Sequence, residues 1–349
     1  MAPVRGTSDV SRDAPSRTCW VLSEGKAWME VQCLGLAEAL GFEPTVKRIE
    51  VTRPWRWLPP RLIPDPLAAI GPKRDSLEPP WPDLLISCGR QTVAPAMAIR
   101  KAGAGGTFTV HIQNPIVDPA RFDLLIAPRH DRLEAPNVIV TTGALNRVTE
   151  DRLAAAAVRY GPRFEALPRP LVAVFLGGRN KVYRFTHETA RRLGEGLAQL
   201  SRREQVGLLV TASRRTDAKV MAIIRQALAG RPAEIWDGSG DNPYFGFLAL
   251  ADAFVVTGDS VNMVCEAATT GKPVHVVALE GGSAKFRRFH ESLGHAGITR
   301  PFAGRLEHWS YPALRDTERA AAEVRRRLDA RWGAGADRSR GNDLAASGR

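Results

Sequence analysis

Nowhere in this 349-residue sequence does an apolar run approach the about 20 residues that a membrane-crossing helix needs. The longest attempt, 245–256, is broken by Asp252. Cysteine is scarce: Cys19, Cys33, Cys88 and Cys265 stand in unrelated contexts without CxxC or finger spacing. That excludes a disulfide framework and a zinc finger, and suits a reducing cytoplasm. Aromatic residues make up 7% and no recognition-helix, RNP-like or finger pattern occurs, so nucleic acid is not expected as a partner. Negative charge is outnumbered: 49 Lys and Arg against 37 Asp and Glu leave a net charge of +12. Such a surface favours anionic partners: nucleotides, phosphorylated glycans or lipids, or the inner face of an anionic membrane met peripherally. The first residues have no apolar core after their charges, which excludes a secretory signal, and their acids argue against a transit peptide.

Several catalytic motifs are missing as well. The seven histidines form no HExxH and there is no DxD, so no metal site is expected. No GxGxxG follows the first strand, where Ser23-Glu24-Gly25-Lys26 supplies one glycine, and this excludes a dinucleotide dehydrogenase. Neither a P-loop nor a GxSxG elbow occurs. No cofactor is therefore expected.

What is present is an alternating strand and helix pattern in a chain that is 44% hydrophobic and longer than one core usually occupies. The expected fold class is α/β, two Rossmann-like domains facing a cleft. Apolar runs at 19–22, 45–51, 84–87, 107–113, 122–127 and 137–141 read as strands of a first domain, 18–150. Runs at 171–176, 206–211, 234–236, 253–256 and after Pro273 read as a second, 171–332. Between them, 151–170 reads as a linker, and polar tails, 1–17 and 333–349, as disordered. Polar residues at the carboxyl ends of the strands mark the edge where doubly wound sheets bind ligands.

The most informative stretch is 252–279. A strand ends in Thr257-Gly258-Asp259-Ser260, a helix follows to Thr270, and Gly271 and Pro273 stop it before another strand. Asp259 or Ser260 caps the helix, whose free N–H groups and dipole suit a phosphate. Asn262 and Glu266 share one helix face, so a carboxylate for a ribose diol lies one turn from the anion site. Gly177-Gly178, with Arg179 and Asn180 beside them, end the strand at 171–176 and let backbone approach a diphosphate. In the first domain Ser23, Gly25, Lys26 and Gln32 follow the first strand, a place for acceptor or phosphate contact. The segment 53–82, with Trp55, Trp57 and Trp81 among prolines and arginines, reads either as a membrane-interface element or as tryptophans packed under a surface loop.

Three segments carry a resemblance. They are Ser23-Glu24-Gly25-Lys26 with Gln32 and Gly35-Leu36-Ala37; His111-Ile112-Gln113-Asn114-Pro115; and Thr257-Gly258-Asp259-Ser260-Val261-Asn262-Met263. Together, over about 20–328, they resemble the mitochondrial fission (elongated mitochondria) protein family and its bacterial members. The 252–279 stretch also resembles the donor motif of GT-B glycosyltransferases of the lipid-II-synthesising and lipid-A-disaccharide-synthase type. The resemblance implies a nucleotide sugar in the second domain, held by Gly258, Asp259, Ser260, Asn262 and Glu266. Ser213, Arg214 and Tyr244 would lie near the base or phosphates, and Lys285 and Arg288 near the leaving group. It also implies an acceptor, lipid-linked in some relatives, at Ser23, Gly25, Lys26, Gln113 and Asn114, and a base from the first domain. The candidates for that base are His130 with Asp131, then His111 and Glu24. The expected function is a metal-independent glycosyltransferase. The alternatives are a non-catalytic peripheral-membrane or protein-recruitment scaffold and a GT-B-fold nucleotide-sugar epimerase.

Overall fold

A computed structural model describes residues 17–72 and 74–346, with side chains through residue 333. Of the expected N-terminal tail, 1–16 lie outside the described residues. The first half runs β1 (Cys19–Ser23), α1 (Ala27–Ala39), β2 (Thr45–Arg48), β3 (Leu84–Cys88), α2 (Arg90–Ala102), β4 (Phe108–Ile112), β5 (Leu124–Pro128), β6 (Val138–Thr141) and α3 (Glu150–Phe164). The second runs β7 (Leu171–Leu176), β8 (Tyr183–Arg184), α4 (His187–Glu204), β9 (Gly207–Ala212), α5 (Ala218–Ala227), β10 (Ala233–Ile235), α6 (Tyr244–Leu250), β11 (Ala253–Thr257), α7 (Val261–Thr269), β12 (Val274–Val277), β13 (Glu280–Gly281), α8 (Ala284–His295), β14 (Thr299–Pro301) and α9 (Asp316–Ala346).

Each half holds a parallel six-stranded sheet, in the orders β2-β1-β3-β4-β5-β6 and β10-β9-β7-β11-β12-β14. The strands are near-continuous aliphatic runs because helices cover both sheet faces. In the first sheet Val21, Ile86, Val110 and Ile126 face α1 and α9, while Leu22, Leu85 and Leu125 face α2. Strand order reverses between β1 and β3 and again between β7 and β11. These two switch points are where such sheets open a crevice at their carboxyl ends.

Two helices do not sit where chain order would put them. α3, expected as part of a linker, packs Ala156, Tyr160 and Phe164 into the second half's core beside Phe247 and Leu248 of α6. α9 returns to the first half, where Ala320, Ala321, Val324 and Leu328 join the cluster built on α1 and β1. Its Asp316 carboxylate accepts hydrogen bonds from Thr142 N at 2.9 Å and Gly143 N at 2.8 Å. Next to this crossing the halves meet closely: Ala144 N lies 3.2 Å from Cys265 Sγ on α7, and Asn146 Nδ2 donates to Thr269 Oγ1 at 3.0 Å. α9 continues past Gly333, where a polar tail was expected, through Ala346.

The segment 53–82 is held by two short 3-10 turns, Trp55–Trp57 and Pro60–Leu62, and by a bridge between Val51 and Ile70. Trp55 packs against Val51, Ile63, Ala69 and Ala94, and Trp81 meets Trp20 edge-on at 6.2 Å. Trp57 and Leu62 stay outside, 64% and 54% exposed.

Candidate functional site

The second switch point is built from the turn between β11 and α7. Ser260 adopts an extended backbone, as an N-cap must, and its hydroxyl accepts from Met263 N at 3.5 Å. The N–H groups of Val261 and Asn262, in the first turn, have no acceptor within the helix. Asn262 Nδ2 donates to Trp28 O of α1 at 3.1 Å, so this end of α7 abuts the first half. One turn further, Glu266 accepts a hydrogen bond from the Tyr244 hydroxyl. Burial pushes the Glu266 carboxyl up to about 7, opposed by the bond from Tyr244.

Asp259 and the glycine pair have a different part from the one expected. The Asp259 side chain is fully buried, accepting from Gly178 N at 2.9 Å and Thr257 Oγ1 at 2.8 Å and pairing with Arg215 Nη2 at 2.9 Å. A Cβ on Gly177 would fall 2.1 Å from Asp259 Oδ1, and one on Gly178 would fall 2.1 Å from Arg215 O. The two glycines admit the protein's own carboxylate and backbone, not a diphosphate, which corrects the expectation for Gly177 and Gly178. Asn180 shapes its own loop, its Oδ1 accepting from Val182 N at 2.9 Å and Tyr183 N at 2.8 Å. Ser213 turns inward to Thr216 Oγ1 at 3.2 Å, and Arg179 and Arg214 are exposed. Gly258 is buried, its carbonyl 2.7 Å from His290 Nε2 on α8.

On the first half's carboxyl edge the four proposed bases separate. His111 is 1% exposed, with Nδ1 2.8 Å from Ser87 Oγ and its ring 5.1 Å from Phe122; burial lowers its pKa to about 3. It is a core residue, which corrects its catalytic assignment. Glu24 is corrected in the same way: its carboxylate accepts from Gln91 N at 2.8 Å at the start of α2 and from Lys26 Nζ at 2.6 Å. Burial alone would raise that carboxyl, but the bonds from Lys26 and Gln91 hold it below its usual value. Ser23 is fully buried, bonded to Gly25 N at 3.0 Å and Glu30 Oε1 at 3.2 Å, so it cannot meet an acceptor. Gln32 is buried within α1, its amide on Trp28 O at 3.2 Å. Gly25 takes a φ of +76° and Lys26 keeps half its surface in solvent. Gln113, with φ of +83°, and Asn114, whose Oδ1 accepts from Ile116 N at 2.9 Å, form the turn after β4.

His130 and Asp131 remain, on a 3-10 turn after β5, and they touch the second half. Asp131 Oδ1 pairs with Lys285 Nζ of α8 at 2.5 Å, and Arg288 Nη2 donates to His130 O at 3.1 Å. The His130 ring meets Phe289 edge-on at 5.4 Å. Burial lowers the His130 pKa to about 4 against the pull of Asp131, so the ring is neutral at ordinary pH.

A family model described as mitochondrial fission ELM1 matches residues 27–328. The chain belongs to this family. Its relatives include the mitochondrial fission protein ELM1 of Arabidopsis thaliana, 34% identical over 393 residues that cover 90% of this chain and 92% of that one. An uncharacterized protein of Rickettsia prowazekii is 26% identical, with 88% and 97% covered. Among solved structures, the UDP-GlcNAc 2-epimerase of Methanocaldococcus jannaschii superimposes with a TM-score of 0.53 at 12% identity, covering 88% of this chain and 99% of the epimerase. That likeness shows the fold: this ELM1-family chain has the GT-B-like arrangement of two Rossmann-like halves. Three contacts of the candidate site carry no signal in the sequence: Arg215 with Asp259, the Tyr244 hydroxyl with Glu266, and His290 with Gly258 O. Each joins residues distant in sequence, so no local pattern could reveal it.

Proposed function

We propose that this ELM1-family protein binds a nucleoside-diphosphate sugar at the second switch point and transfers the sugar, without a metal, to a hydroxyl acceptor on the first half. The observation that carries the reading is the start of α7: a capped N-terminus with free N–H groups, against the first half, with Glu266 one turn in. The N–H groups and the helix dipole suit the departing diphosphate, and Glu266 suits a ribose diol. Lys285 and Arg288 add positive charge from α8. Asp131 and His130 are the candidates for the base, because they alone of the four proposed lie at the junction of the halves. Lys26, Gln113 and Asn114 line the acceptor side. Exposed Trp57 and Leu62, with exposed Arg53 and Arg61, suit an acceptor carried on a lipid at an anionic membrane surface.

A second reading, a non-catalytic recruitment scaffold, is favoured by Asp259, which already fills the Gly178 amide that a diphosphate would use. Calorimetry and thermal shift with UDP, GDP and CMP separate the two. The transferase reading expects one nucleotide to raise the melting temperature by several degrees and to bind about 10-fold more weakly to Glu266→Gln. No response to any of them would leave the scaffold.

A further inference from the structure

The contact of α8 with the turn at 129–131 encloses more polar atoms than it satisfies. Asp131 Oδ2, His130 Nδ1 and His290 Nδ1 are each buried without a hydrogen-bond partner among the described residues. The Asp131 and His130 side chains are 3% and 5% exposed. An enclosed polar atom left unpaired has given up its bond to water for nothing, so three on one seam call for something to occupy it. The hydrogen-bonding character of two of them is fixed. Gly258 O can only accept, so His290 Nε2, 2.7 Å away, carries the proton and Nδ1 presents a bare lone pair. Asp131 Oδ2 is likewise an acceptor, since Oδ1 holds the Lys285 ammonium. The His130 ring packs on Phe289 of α8 at 5.4 Å, and Phe289 in turn lies 5.0 Å from the His290 ring, so the three side chains follow one another along this seam.

We propose that Asp131, His130 and His290 form a subsite, shared by the two halves, for the hydroxyl groups of a sugar. Two acceptors and an imidazole fit a ring that brings several O–H donors, and they do not fit a phosphate, whose oxygens would meet lone pairs. This rests on the nucleotide-sugar reading and deepens it: Glu266 and the α7 N-terminus hold the nucleotide, and this junction selects the sugar. Entry requires α8 to lift from the 129–131 turn. The contacts that give way are Lys285 with Asp131, where the lysine is 52% exposed, and Arg288 with His130 O.

The test titrates the full chain with UDP or GDP and with the matching nucleotide hexose or N-acetylhexosamine. Asp131→Asn should weaken the conjugate about 10-fold and leave the bare nucleotide within about 2-fold, whereas Glu266→Gln weakens both. Equal effects on both ligands, or none, overturn the subsite. A second measurement needs no variant: the histidine side-chain nitrogen spectrum of the wild-type chain, titrated with free glucose, mannose and N-acetylglucosamine. A shift of His290 Nδ1 is expected. If that shift appears while no nucleotide binds, the subsite stands and the nucleotide reading falls. If no sugar moves it, a trapped water satisfies these atoms and the proposal is overturned.

Discussion

Glu266 is the residue whose charge state ties stability to binding. Its carboxyl titrates near 7, above the roughly 4.3 of an unfolded chain, so folding favours the protonated form. That contribution is complete below the unfolded value and is lost as pH rises through 7. Urea unfolding should show wild type losing about 1–2 kcal/mol relative to Glu266→Gln between pH 5 and pH 8, allowing for the partly exposed edge of the side chain. Nucleotide affinity should move the other way and strengthen from pH 6 to pH 8, because ribose hydroxyls donate to a carboxylate; Glu266→Gln should show no such slope. The cap at Ser260 and the Glu266 one turn on were legible in the sequence because both are local relations along one helix. His111 was misread for the complementary reason. A histidine near a strand end among polar neighbours has the same sequence signature whether it faces solvent or, as here, Phe122 and Ser87.

At the scale of elements, the loop after β7 and the turn after β11 form one interlocked unit. The Asp259 carboxylate occupies the space that Gly177 leaves, and Arg215 O the space beside Gly178. Gly177→Ala should cost about 1–3 kcal/mol by overpacking, and Asp259→Ala about 1–3 kcal/mol by stranding the buried Gly178 amide and Thr257 hydroxyl, while Arg215, 41% exposed, turns to water. Combined, they should destabilise by less than the sum, since removing the carboxylate makes room for the methyl group; a urea double-mutant cycle measures the coupling. Gly178→Ala should show no such relief, because its obstacle is backbone. β7 runs 171–176, as its aliphatic run foretold, since six consecutive buried residues declare a central strand. β8, β13 and β14 went unseen: pieces of two or three residues owe their pairing to a partner and not to any periodicity. A glycine pair after a strand announced close approach but not what approaches.

The molecule as a whole is fastened by its last helix. α9 leaves the second half and supplies Ala320, Ala321, Val324 and Leu328 to the first half's core. Leu328→Ala should cost about 2–5 kcal/mol. Hydrogen-exchange mass spectrometry should place the loosening in β1, β3 and α1, with β7 and β11 unaffected. Two parallel sheets were legible from the alternation of apolar runs and turns. The exchange of α3 and α9 between halves was not, because an amphipathic helix records that it has a partner without recording which.

That exchange has a consequence for biosynthesis. A ribosome makes the first sheet early, yet the helix that seals one side of it emerges only after the whole second sheet. Every nascent chain that has not reached Asp316 therefore leaves bare the greasy surface of α1 and the β6 side of the sheet, open to whatever chaperone waits at the tunnel exit.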